Sequence, residues 1–482
     1  METIKFGTSG WRAILGEEFT FHNARTVCQG IAQYLRQEKL GGQGVLVGYD
    51  GRFLGENFAK AAAEVLAAHG IPSLLCDRET PTPTIAFHVL RHQLAGGINI
   101  SASHNPPEYN GIKFTPAWGG PALPHTTQAI EQRIAPLQHG GGAIKWMPCE
   151  RAERSGLIRM FDPRPEYLVG LEQHIDVEAI RQGQLRLVMD PLYGTSRGYL
   201  DDFLRKAGAK MAVLHHWRDP YFGGIRPEPT VETTQELQET VKREGAHLGL
   251  ATDGDADRFG IIDRDGTFID PNLILALLVD YLAVTRSWTG GIARSVATTH
   301  LIDAVASQYG LAIHETPVGF KFIGELLSKG ECIMGGEESA GMSIAGHVPE
   351  KDGMLACLFV VEMIAKTGKS IKELLEDLFR RVGPRYTKRE DVTVTENMRE
   401  TLAKTMKHPP TLFAGKSVDS VNQLDGCKLL LGDGSWFLIR PSGTEPIVRC
   451  YAEASTPDQL QDLLSAGREL LHVHHENGEP HP

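Results

Sequence analysis

Three stretches of this chain share one rhythm, and that recurrence constrains the fold more than any other feature. GVLVGYDGR (44–52) runs into FAKAAAEVLAAHG, LRLVMDPLYG (185–194) into RGYLDDFLRKAG, and ARSVATTH (293–300) into LIDAVASQYG. Each is an apolar run, then a polar turn, then a helix of 3.6-residue period closed by glycine. Strand–helix alternation of this kind predicts parallel α/β units. Three copies predict three related α/β domains. The last stretch differs: strands in DGSWFLIRPS and PIVRCYAEA precede a helix in TPDQLQDLLSAGRELL, an α+β module.

The length of 482 residues agrees, since at roughly 100 to 200 residues per domain it allows about three to four domains. A glycine-rich stretch, QHGGGAIK (138–145), lies near the end of the first unit. The helix in KSIKELLEDLFRRVG (369–383) stacks Leu374, Leu375, Leu378 and Phe379 on one face before Gly383-Pro384 stops it. The expected boundaries are 1–156, 157–262, 263–383 and 384–475, with a histidine-rich tail at 476–482 that reads as a disordered terminus.

A net charge of −11 with no long basic run argues against nucleic acid or an acidic membrane surface as a partner. The richest apolar run, LILALLVDYLAV (273–284), is short and carries Asp280, so it reads as a buried helix and not a membrane span. The seven cysteines are scattered without a CxxC pair, which predicts neither a disulfide framework nor a structural zinc site. With no apolar leader in METIKFGTSGWRAILG, the expected location is cytoplasmic.

Four loops carry candidate chemistry. In INISASHNPP (98–107) a buried strand gives way to Ser103 and His104, where exposed backbone can hydrogen-bond a phosphate. His104 and Lys113 lie close enough in sequence to polarise or shuttle a proton. In ATDGDADRFG (251–260), Asp253, Asp255 and Asp257 alternate, and on an extended backbone their carboxylates would share one side. Three such oxygens suit a hard cation such as Mg²⁺, and Arg258 adjoins them. An EF-hand is excluded, because its glycine position holds Arg258 and its final glutamate position Arg264. In GGEESAG (335–341), Glu337, Glu338 and Ser339 suit the hydroxyls of a sugar. In RPSGTEP (440–446), Arg440, Ser442, the Gly443 amide and Thr444 suit a phosphate dianion, with Arg449 following on a strand. Two GKS tripeptides, 368–370 and 415–417, lack the earlier P-loop glycine, having Met363 and Pro410 there. GTSRG (194–198) does not follow its strand directly, as a nucleophile elbow must.

With FGTSGWR at 6–12, then SASHNP, DGDADR, GGEESAG and RPSGTEP in order, the sequence resembles the α-D-phosphohexomutases, the phosphoglucomutase/phosphomannomutase superfamily, over nearly its whole length. The resemblance implies three α/β domains with mixed sheets and a C-terminal α+β domain around a central cleft. It implies a phosphoserine at Ser103, Mg²⁺ held by Ser103, Asp253, Asp255 and Asp257, and charge neutralisation or proton transfer by Arg12, Lys113, His104 and Arg258. Glu337 and Ser339 would read sugar hydroxyls, and Lys321 and His347 would lie near the substrate. Arg440, Ser442, Gly443, Thr444 and Arg449 would hold the distal phosphate. The implied reaction interconverts hexose 1-phosphate and hexose 6-phosphate through a hexose 1,6-bisphosphate, with a small phosphosugar as partner and a monomer or dimer as the working state. The GEES loop resembles glucose-type members and tilts the expected substrate to α-D-glucose phosphate; RPSGTEP resembles glucosamine-phosphate mutases, and a phosphomannomutase or phosphoglucosamine mutase is the alternative. The remaining readings are a phosphosugar-binding protein without turnover and a phosphatase in which Asp253 carries the phosphoryl group.

Overall fold

The three rhythmic segments become the central strands of three sheets. In the computed structural model, which describes residues 3–7, 9–393, 396–441 and 447–471, the first sheet runs Trp11–Ile14, Tyr109–Pro116, Gly96–Ile100, Val45–Tyr49, Ser73–Cys76, Ile158–Phe161. The last four strands are mutually parallel, and Tyr109–Pro116 returns antiparallel beside Gly96–Ile100. The second runs Phe268–Ile269, Phe259–Asp263, Leu248–Thr252, Arg186–Asp190, Lys210–Val213, and the third Gly341–Ile344, Met334–Glu337, Gly291–Ser295, Ala312–Thr316.

All three share one core order. An antiparallel strand lies beside the third parallel strand, then come the first and the second. Helices cover both faces, which is why Gly96–Ile100, Leu248–Thr252 and Gly291–Ser295 are buried at every position. The first sheet draws its edge strand from 158–161, beyond the boundary expected at 156, because that segment pairs in parallel with Ser73–Cys76. The second likewise extends to Ile269, past 262.

The fourth sheet is wholly antiparallel: Tyr386–Thr393, Ile447–Ala454, Trp436–Pro441, Cys427–Leu431, Lys416–Asn422, Leu412–Phe413. It has its own core, as does the first unit. The second and third units share one, threaded by the buried helices Pro271–Thr285 and Gly353–Thr367. Asp280 in the first of these is paired with Arg381 at 2.6 Å and accepts from the Tyr309 hydroxyl at 2.6 Å. Among the described residues no helix is long and apolar enough to cross a membrane. All seven cysteines are buried and unpaired.

The fourth unit docks on the third through Trp436, Leu438 and Tyr451 against Val296 and Ala297. Two buried charges complete the contact. The Lys428 ammonium donates to Val296 O at 2.7 Å and to His300 Nε2 at 2.8 Å, and burial lowers it to about 8. Glu453 accepts from Trp436 Nε1 at 3.0 Å and from the Thr299 hydroxyl. The histidine-rich tail lies outside the described residues.

The helix Ile371–Val382 ends at Gly383 and buries Leu375 and Leu378, with Leu374 and Phe379 packed alongside. Ser370 opens it with a reciprocal capping box to Glu373. Ser370→Ala should therefore cost about 1 kcal/mol, read as a lower urea midpoint; an unshifted midpoint would show that the cap contributes nothing.

Candidate active site

In each of the three related sheets, the turn from the third parallel strand into the antiparallel strand carries one of the expected loops: 101–108, 253–258 and 338–340. Equivalent turns of three equivalent units thus face one place. Each holds a non-glycine residue in the left-handed region, Ser103 at φ +52°, Ala256 at +59° and Ala340 at +66°, a conformation that costs about 1 to 3 kcal/mol at a non-glycine position.

The serine loop is held from below by Arg52, which is fully buried. Its guanidinium donates to the carbonyls of Ser103 at 2.7 Å, Asn105 at 2.6 Å, Pro106 at 2.7 Å and Tyr109 at 2.9 Å. Asp50 balances its charge at 3.2 Å, and the ring of Phe222 from the second unit lies 5.0 Å away. The Ser103 amide donates to Ser101 Oγ at 2.9 Å, and its hydroxyl donates to Asp253 Oδ2 at 2.7 Å. Gly254 makes this approach possible: a Cβ there would meet Ser103 O at 2.7 Å.

Asp253, Asp255 and Asp257 are buried and bring carboxylate oxygens within 4.8 Å of one another. The expected extended backbone is not what does this. The segment is a turn, and the positive φ of Ala256 swings Asp257 back toward its partners. Lys113 Nζ lies 2.5 Å from Asp255 Oδ2 and 3.1 Å from Asp257 Oδ2, and Lys351 Nζ lies 2.9 Å from Asp257 Oδ2. Asp255 also accepts from the Thr82 hydroxyl at 2.5 Å and from Ser101 Oγ at 3.1 Å.

Burial opposes ionisation of all three carboxyls. For Asp257 the neighbouring Lys113, Lys351 and Arg258 outweigh it, and for Asp255 Lys113 does, so both lie below the usual carboxylate range. Asp253 has no such ammonium. Burial and its two anionic neighbours push it well above that range. Asp255 Oδ1 and Asp257 Oδ1 are buried without a hydrogen-bond partner. A carboxyl whose charge no ammonium offsets, beside two orphaned carboxylate oxygens, is a ligand set short of positive charge, and it fits a hard divalent cation.

Lys113 is also buried, but the two carboxylates prevail and hold its ammonium above its ordinary value. It is therefore a fixed cation. His104 is the opposite case: burial, with Arg258 and Arg12 nearby, keeps its imidazole neutral, and its Nδ1 lies 3.4 Å from Ser103 Oγ. Arg12 donates to Asn105 Oδ1 at 2.5 Å. Arg258 pairs with Glu228, and its amide donates to Asp253 Oδ1 at 3.0 Å.

The 338–340 turn touches the aspartate loop directly, as the Phe259 amide donates to Ala340 O at 3.2 Å. Glu337 is buried, accepts from the Gly319 amide at 2.7 Å, and is pushed up to about 7 by burial and by Glu338. Glu338 is held by Ser295 at 3.0 Å and Thr298 at 3.3 Å, and Ser339 is half-buried beside it. Lys321 is half-buried, which lowers its ammonium, with Asp425 opposing the shift. Asp425 in turn accepts from Arg440 Nε at 2.7 Å and from the Val318 amide at 3.0 Å. Arg440 stands opposite Arg449 across the strand pair. Ser442, Gly443 and Thr444 lie outside the described residues.

His347 is drawn into a buried pair. Its side chain is 1% exposed and pairs with Asp352 at 2.7 Å, in a cluster with Tyr167 and His174. The structural roles of Arg52, Lys351 and Thr82 are not apparent from the sequence. Arg52 is legible there only as the end of a polar turn, and Lys351 only as part of EKDG.

Four family models match in chain order. Phosphoglucomutase/phosphomannomutase alpha/beta/alpha domain I matches residues 3–139, domain II 165–266, domain III 270–382 and the C-terminal domain 392–469. The chain belongs to the phosphoglucomutase/phosphomannomutase family. It is a phosphohexomutase, an isomerase of carbohydrate metabolism. A "Phosphoglucomutase/phosphomannomutase" of Thermococcus kodakarensis is 32% identical, covering 97% of this chain and 98% of its own. A "Probable phosphoglucosamine mutase" of Methanothermobacter thermautotrophicus is 31% identical, covering 97% of each. A solved structure of a "putative phosphomannomutase" from Thermus thermophilus superposes with a TM-score of 0.84 at 32% identity, covering 98% of this chain and 99% of that one.

The charge state of Asp253 gives a test. Binding of Mg²⁺ should expel one proton, because the carboxyl must ionise to serve as a ligand, so affinity should rise with pH until Asp253 ionises unaided. Titration calorimetry in buffers of different ionisation enthalpy reads the proton. Asp253→Asn should abolish its release, and equal release from that variant would place the proton elsewhere.

Proposed function

We propose that this chain interconverts α-D-glucose 1-phosphate and 6-phosphate, with Ser103 as phosphoryl carrier. One observation carries the assignment of Ser103: its hydroxyl, on the first unit, is hydrogen-bonded at 2.7 Å to the aspartate cluster of the second. Glucose is favoured by the glutamate pair Glu337–Glu338, which resembles the glucose-type loop. The curated relatives carry glucose, mannose and glucosamine names alike.

In this reading phosphorylated Ser103 donates its phosphoryl to a hydroxyl of the hexose monophosphate. The P–O bond to Ser103 Oγ breaks as the bond to the sugar oxygen forms. The hydroxyl proton passes through His104, whose Nδ1 lies 3.4 Å from Ser103 Oγ, to that oxygen as it leaves, while Lys113, locked as a cation, acts by charge alone. The resulting 1,6-bisphosphate turns over and returns its other phosphoryl to Ser103. Asp253, Asp255 and Asp257 would hold Mg²⁺, which supplies positive charge against the transferring phosphoryl oxygens. Arg12 and Arg258 flank the same oxygens. Glu337 and Ser339, with Lys321, read sugar hydroxyls, and Arg440 with Arg449 and the segment after it takes the distal phosphate. His347 enters only by supporting Asp352, whose neighbour Lys351 pairs with Asp257. The chain then divides functionally into four units near the boundaries given above, the first two lengthened by their edge strands, and works in the cytoplasm.

Ser103→Ala should abolish interconversion while the circular dichroism stays unchanged; normal turnover by that variant sinks the reading. Comparing kcat/KM for glucose, mannose and glucosamine 1-phosphates should rank glucose first, and a higher value for either other sugar reassigns the substrate.

A further inference from the structure

A second group of metal-type side chains lies away from the aspartates. His88 and His92 stand one helical turn apart on Thr82–Arg91 and its cap, so both imidazoles fall on one face. Their rings stack at 5.4 Å with an 18° tilt. Glu166, in the first turn of Arg164–Glu172, faces them, with Oε2 3.4 Å from His92 Nε2. One ligand atom from each of the three lies within 4.8 Å of the other two.

His88 is prepared for ligation. His88 is wholly buried, its Nε2–H donates to Pro163 O at 2.6 Å, and its Nδ1 has no hydrogen-bond partner. A ring with one nitrogen donating to a backbone carbonyl and the other presenting a bare lone pair is the form that metal-bound histidine takes. Burial lowers His88 to about 4, so the ring is neutral at ordinary pH. Phe161 stands edge-on to both rings, at 4.9 and 5.6 Å. The side chains of His92, 32% exposed, and Glu166, 42% exposed, open the site to water. Arg91 Nε lies 3.6 Å from Glu166, on a side chain 67% exposed that can turn outward.

We propose that His88, His92 and Glu166 form a site for a borderline divalent ion such as Zn²⁺, which fastens the helix Thr82–Arg91 to the helix Arg164–Glu172. Two imidazoles and one carboxylate, with a fourth position open to water, are a zinc-type ligand set; Mg²⁺ prefers oxygen throughout. The ion would also join the first unit to the opening helix of the segment matching domain II. At the other end of the same helix, the Thr82 amide donates to Asp255 O at 2.9 Å and its hydroxyl to Asp255 Oδ2. The midpoint of His88 and His92 lies eight residues beyond Thr82, about 12 Å along the helix.

Equilibrium dialysis of the full chain against Zn²⁺ in excess Mg²⁺ tests this, with His92→Ala and Glu166→Gln beside the wild type. Both side chains reach solvent, so neither change opens a cavity in the core. The C-terminal histidines are common to all three proteins and cancel in the difference. Wild type should hold one zinc more than His92→Ala, and Glu166→Gln should bind that zinc at least tenfold more weakly. Equal zinc content in wild type and His92→Ala, or undiminished affinity in Glu166→Gln, overturns the proposal.

Discussion

Three carboxylates buried at one point are the constraint around which the rest of the site is arranged. Like charges in a low-dielectric interior cannot all ionise unless cations stand beside them. The fold supplies those cations from three units: Lys113 from the antiparallel strand of the first, Arg258 from the turn of the second, and Lys351 from the approach to a helix of the third. The compensation is uneven. It reaches Asp255 and Asp257 and leaves Asp253, the residue that receives the Ser103 hydroxyl, without an ammonium to offset its charge, so its carboxyl is pushed upward. The deficit falls where phosphoryl chemistry needs a divalent ion.

Backbone architecture makes this convergence possible. Parallel strands end at the same edge of a sheet, and in each of the three sheets the chain turns back there into an antiparallel strand. Three such turns meet through main-chain contacts such as Phe259 N to Ala340 O, and through Gly254, where no side chain fits. The fourth unit is tied in differently. Asp425 takes both Arg440 from its own sheet and the Val318 amide of the third unit, and the next amide, Gly319, binds Glu337. A short polar relay therefore runs from Arg440 to Glu337.

Much of this is legible in the sequence, because strand–helix rhythm is local and the three segments that show it are the three central strands. The motif loops are legible for another reason: singly each could be an ordinary turn, but they occur together and in the family's order. What escapes is long-range. Nothing near GYDGR indicates that Arg52 reaches four carbonyls more than fifty positions away. His347 follows the sugar loop in sequence, but Asp352, Tyr167 and His174 draw it inward. The alternation of the aspartates suggests an extended strand, yet the turn at Ala256 does the gathering. The edge strand Ile158–Phe161 crosses an expected boundary because strand pairing is blind to compositional punctuation.

The left-handed residues Ser103, Ala256 and Ala340 carry a consequence for inheritance. Each occupies a posture that a glycine would adopt without strain, so mutation to glycine would relax the turn. Relaxation at any one of them would let its loop drift from the other two, blurring a geometry to which all three contribute. Descent within such a protein is therefore expected to tolerate change on the outer helices while keeping these three taut corners in step.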